Sequence, residues 1–169
     1  MISISLRAYI NVFTIGGVVH LFYSILVLIH VLAAIIGIGV TFAFPVISNM
    51  AKNLSQLKHT LGLLKKLELY PKIGGGILIV TGLIMGFITP AYFKEIWFVG
   101  SIVLYIIIEL LIYVVIGSKM KKVVPVVMSS DGEEIPEEYM AVSKSTAPIH
   151  MLATLLAIII IILMSAKPF

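Results

Sequence analysis

Leu21–Ile47 reads LFYSILVLIHVLAAIIGIGVTFAFPVI and contains no Asp, Glu, Lys or Arg. About 20 mostly apolar residues, rising 1.5 Å each, cross the hydrocarbon core of a bilayer. Three further stretches reach that length: Leu69–Thr89, Ile96–Gly117 and Ile149–Ala166. Hydrocarbon leaves backbone amides without water, so such segments form helices unless they close into a barrel. Barrel strands would be about half as long and would alternate in polarity. The reading is an all-α, polytopic membrane protein: a four-transmembrane-helix bundle forming a single membrane domain over residues 1–169.

Composition agrees. The chain of 169 residues is 60% hydrophobic and 12% charged, with mean hydropathy +1.16. No polar segment is long enough for a separate soluble domain. The net charge of +4 is spread over loops, which argues against nucleic acid as a partner and makes the charge orientation information. The absence of cysteine excludes disulfides, thiolate metal sites, iron–sulfur clusters and covalent haem attachment.

Positive residues set the expected orientation. Lys52, Lys58, Lys65, Lys66, Lys72, Lys119, Lys121, Lys122 and Lys144 fall on one face of the membrane, and Arg7, Lys94 and Lys167 on the other. This places loops 48–68 and 118–148 in the cytoplasm and both termini outside, in a multi-pass protein of the cell membrane. Residues 1–20 read as an interfacial or kinked lead-in with a bend at Gly16–Gly17, because Ala8–Ile47 is too long for one straight crossing. Asn53–Glu68 places Leu54, Leu57, Leu61, Leu64 and Leu67 at helical spacing. That predicts an amphipathic surface helix between spans one and two, capped by Asn53 or Ser55 and lying on the headgroups. Met128–Tyr139, with Ser129–Ser130–Asp131–Gly132 and Pro136, reads as a solvated turn.

Few polar groups remain for chemistry. His30 lies near mid-depth in span one, where a neutral imidazole needs a partner and iron is a good one. A hydrogen bond to a neighbouring helix is the plainer alternative. Glu109 lies within span three. A carboxyl group at that depth is costly unless a partner or a bound proton offsets its charge, which makes it a candidate proton relay. His150 follows Pro148, a favoured first-turn residue, at the inner start of span four. His20 and His59 read as solvated. Gly82-x-x-x-Gly86, with Gly74–Gly75–Gly76 upstream, makes a smooth face for a helix or a flat macrocycle. Tyr70, Lys72 and Trp97 read as span-end anchors. The depths of His30 and His150 differ by roughly 17 Å along the bundle, too far for one iron.

Leu28-Ile29-His30-Val31-Leu32-Ala33-Ala34, followed by Gly37 and Gly39, resembles the opening of the HemJ-type protoporphyrinogen oxidases and their CopD-like relatives, which are four-helix membrane proteins. Leu67-Glu68-Leu69-Tyr70, Trp97, Ala147-Pro148 and Lys167-Pro168-Phe169 resemble that group's later motifs, in the same order. The chain also resembles uncharacterised integral membrane proteins of this superfamily. The resemblance implies haem b, with His30 as an axial ligand of the iron. If haem is bound, Lys72 is a candidate cofactor-binding residue near its propionates, and His150 a candidate for a second haem, a propionate or water at the inner face. Ser101 stands where the family carries an essential Lys, so oxidation of protoporphyrinogen does not carry over.

The resulting expectation is a haem b-binding, electron-transporting protein of the lipid bilayer. A quinone or a redox partner protein would exchange electrons with it, as an oxidoreductase or as a subunit of a homodimer or larger complex. The alternatives are a CopD-like metal or solute transporter and a structural subunit without a cofactor. Met85, Met120, Met128, Met140, Met151 and Met164 are scattered and form no evident copper path.

Overall fold

The computed structural model describes the backbone of residues 2–167 and the side chains of residues 17–167. Every regular element in it is helical. α1 (Ile2–Ala34) passes into a π-helical segment, π1 (Ile35–Gly39), and a short α2 (Ala43–Ser48). α3 (Leu54–Leu67) leads through Glu68, itself in right-handed helical conformation, into α4 (Leu69–Ile88). A 3-10 turn, Pro90–Lys94, connects to α5 (Ile96–Glu109). Then follow π2 (Leu110–Ile116), α6 (Gly117–Ser129) and α7 (Glu137–Ala166). Four of these runs are long and apolar enough to cross a membrane: Gly17–Ser48, Leu54–Ile88, Ile96–Ser129 and Glu137–Ala166.

The helices associate as two pairs. α1 and π1 lie along α4, whereas α5, π2 and α6 lie along α7. Glycine sets the first pairing. A methyl group on Gly74 would stand 2.6 Å from the Gly37 backbone nitrogen and 2.9 Å from the Ala33 carbonyl oxygen, so the two backbones touch at that crossing. Large apolar residues such as Leu21, Ile35, Val46, Phe87 and Ile162 point outward and are more than half exposed, as a lipid-facing surface requires.

At one end of the bundle the chain builds a small core of its own. Leu54, Leu57 and Leu61 of α3 are buried against Val123 and Val127 of α6 and Tyr139 of α7. The amphipathic helix is present, and Asn53 caps it by accepting a bond of 2.9 Å from the Gln56 amide. Leu54, Leu57 and Leu61 of its stripe are covered by protein, because α6 and α7 reach far enough to pack on them. Lys58 donates to the Ser130 carbonyl at 2.7 Å, and the Leu54 amide donates to Glu133 at 2.9 Å, tying α3 to the 130–136 turn.

Three boundaries differ from the sequence reading. The backbone is α-helical through Gly16 and Gly17, and the departure from α geometry in this run comes at π1. The third helical run continues to Ser129, past Lys119, Lys121 and Lys122, because charges end a membrane span without ending a helix. Pro148 lies inside α7, which starts at Glu137 with Glu137 and Glu138 in its first turn. Carboxylates there complement the amino-terminal end of the helix dipole.

Candidate functional site

His30 is half-buried on α1 and turns toward α4. Its Nδ1 lies 2.8 Å from Thr81 Oγ1. The Thr81 hydroxyl points at the carbonyl oxygens of Ile77 (2.7 Å) and Leu78 (3.2 Å). A hydroxyl has one proton, and here it goes to the helix backbone. With the proton given to the helix backbone, the oxygen accepts from His30, and the matching tautomer carries its proton on Nδ1 and leaves the Nε2 lone pair unshared. The imidazole lies against Gly82, where an added Cβ would stand 3.3 Å from Cε1. Gly86, one turn on, leaves room for the rings of Phe93 and Phe98. The smooth glycine face expected on span two thus receives side chains at Gly82 and Gly86, and a helix backbone at Gly74.

Glu109 closes α5 where the backbone widens into π2; π-helical insertions recur at functional positions. Glu109 shares a cleft of about 250 Å³ with Lys72, Gly75, Gly76, Tyr105 and Tyr113. The cleft lies on the seam between the two helix pairs. The Tyr105 hydroxyl and Glu109 Oε1 converge over Gly75, the hydroxyl occupying the space a Cβ would need. Lys72 is held at the rim, 2.8 Å from Glu68 and with its ammonium 5.9 Å above the Tyr113 ring. Gly75 and Gly82 are seven residues apart and so share a face of α4, separated by about 10 Å of rise.

The remaining candidates stand apart. His150 is half-buried on α7, fourteen residues into the helix rather than in its first turn. α7 belongs to the other helix pair, which sets it away from His30. His20 and His59 are exposed. Trp97 is buried rather than interfacial, at 6% exposure. It meets Tyr92 and Phe98 edge to face, and Lys167 lies 5.5 Å over its ring. Ser101 is 1% exposed and donates to the Trp97 carbonyl at 2.6 Å; a lysine would not fit there. Among the described residues, no three His, Asp or Glu side chains gather as a metal site.

The donor chemistry of His30 fits haem iron: a metal-bound imidazole gives its second N–H to a fixed acceptor and coordinates through the other nitrogen. The 250 Å³ cleft and a second one of 160 Å³ beside Ala33 and Gly74 are both too small for a porphyrin, and His30 lines neither. The fit therefore rests on the imidazole and its partner.

Thr81, Tyr105 and Tyr113 were not singled out from the sequence. Tyr105, Glu109 and Tyr113 recur every four residues, a spacing that puts them on one helix face. Thr81 adjoins Gly82 but carries no distinguishing local pattern. No curated protein and no solved structure matches the chain. The family model described as "Predicted integral membrane protein (DUF2269)" matches residues 24–168, from within the His30 span to just past the end of α7. The chain, with its four apolar helices, belongs to that family of integral membrane proteins.

Proposed function

We propose that this protein binds haem b in the membrane through Nε2 of His30 and serves electron transfer with a quinone or a partner protein. The observation that carries the reading is the His30–Thr81–Ile77 chain of contacts, which supports a tautomer protonated at Nδ1 with Nε2 free to meet iron. Resemblance of the Leu28–Ala34 segment to the haem-binding opening of HemJ-type proteins supports the same assignment. When bound, haem supplies one-electron chemistry. Thr81 holds the ring in orientation, Gly82 admits it against α4, and Glu109 offers a carboxyl group for proton exchange about two turns away along α4. The burial of Ser101 speaks for a redox role other than oxidation of protoporphyrinogen.

Absorbance of detergent-purified protein tests the proposal. A Soret band is expected in the wild type and in His150→Ala, and it is lost in His30→Ala while that variant still reaches the membrane. An unchanged Soret band in His30→Ala would overturn it.

A further inference from the structure

We infer that the cleft between the helix pairs is a binding site for a flat, uncharged, lipid-soluble carbonyl compound of the quinone class. This deepens the redox reading above by naming its membrane partner, and it stands on a different set of residues.

The cleft has the features of a ligand site: mostly apolar walls and a few convergent polar groups. Its volume of about 250 Å³ suits one six-membered ring. Gly75 and Gly76 give it a floor without side chains, and Tyr105 and Tyr113 give it aromatic walls. Tyr105 and Tyr113 bring two phenol groups to the cleft, each with a hydroxyl able to donate to a carbonyl oxygen, and the Tyr105 hydroxyl lies with Glu109 Oε1 over Gly75.

Charge narrows the class. An anion would meet Glu109, and the one ammonium at the rim is already neutralised by Glu68 at 2.8 Å. A lipophilic cation would find the face of the Tyr113 ring, the surface it would use, already occupied by the Lys72 ammonium. A metal ion lacks a ligand set there. An uncharged hydrogen-bond acceptor meets none of these objections. Gly76, Lys72 and Ile79 at the opening are exposed on a bundle surface that faces lipid. A ligand reaching the site from that side arrives through the bilayer, with room for an apolar tail beside Ile79.

The test is photo-crosslinking of the full-length protein in phosphatidylcholine nanodiscs with an azido-benzoquinone bearing a decyl tail. Label is mapped by mass spectrometry, and haem is read separately by absorbance. Saturable label is expected on peptides containing Pro71–Ile79 or Tyr105–Tyr113, displaced by unlabelled decylbenzoquinone. In Gly76→Leu the label falls by roughly tenfold or more. An added Cβ at Gly76 meets nothing within 4 Å, so this variant fills the cleft without forcing the helices apart. Ile79→Trp, a second cleft-filling variant on an exposed position, should act the same way. Tyr105→Phe weakens labelling several-fold. The inference is overturned if label is equal in Gly76→Leu and Ile79→Trp, or maps elsewhere. It is also overturned if tetraphenylphosphonium or a retained phospholipid competes where decylbenzoquinone does not. A Soret band without cleft labelling overturns this assignment alone; cleft labelling without a Soret band overturns the haem reading alone.

Discussion

A single proton decides what His30 is able to do. With the Thr81 hydroxyl committed to Ile77 and Leu78, the imidazole is a donor at Nδ1 and a base or ligand at Nε2. Thr81→Val keeps the shape and removes the acceptor, leaving the Nδ1–H unpaired in a half-buried place. Losing such a partner costs about 1–3 kcal/mol. Weaker haem retention and a shifted reduction potential are expected in Thr81→Val, whereas Thr81→Ser restores both; unchanged retention and potential in Thr81→Val would remove the relay from the account. His30 and Glu109 were legible in the sequence because an ionisable side chain inside a span always needs an explanation. Thr81 was not, because a threonine in a membrane helix is ordinary until its partner across the helix pair is seen. Trp97 was misread for the complementary reason. Tryptophan at a span end usually anchors at the interface, but here the 3-10 turn folds Tyr92 back over it.

Elements assemble through glycines that look alike in sequence and differ in what faces them. Gly74 meets backbone on α1 and π1, Gly75 meets the Tyr105 hydroxyl, and Gly76 meets open space. Gly74→Ala should therefore separate the first helix pair and destabilise by about 1–3 kcal/mol. Gly76→Ala should be neutral or stabilising by up to about 1 kcal/mol, through helix propensity. Thermal unfolding in detergent orders the two, and equal melting temperatures would contradict the crossing at Gly74. At the end of the bundle, Leu57→Ala removes a fully buried side chain from the α3–α6–α7 core. It should cost about 2–5 kcal/mol, whereas a leucine resting on headgroups would cost little in detergent. Periodicity revealed the face of α3 but not what covers it. The lysines of α6 and the turn-like composition before Pro148 concealed how far α6 and α7 extend.

The whole molecule is a pair of helix pairs, with polar groups gathered along one face of α4 and a polar cleft on the seam. Four spans in sequence order were legible from hydropathy alone; the pairing was not, since it depends on which glycine meets which neighbour. The lysine distribution predicts that the α3–α6–α7 core faces the cytoplasm. Single cysteines at Ser130 and Lys167 should then react oppositely with an impermeant thiol reagent applied to intact cells. Labelling of Ser130→Cys from outside would reverse the orientation and place the Glu109 cleft in the opposite leaflet. The central claim, however, is that the lone pair on His30 holds a haem. The most direct measurement is the haem-to-protein ratio of purified full-length protein, taken by the pyridine haemochrome method after expression with ample haem supply. The account predicts a b-type spectrum at about one haem per chain in the wild type and close to none in His30→Ala. A wild-type protein that is folded and free of haem, or a His30→Ala variant that keeps its haem, would contradict it.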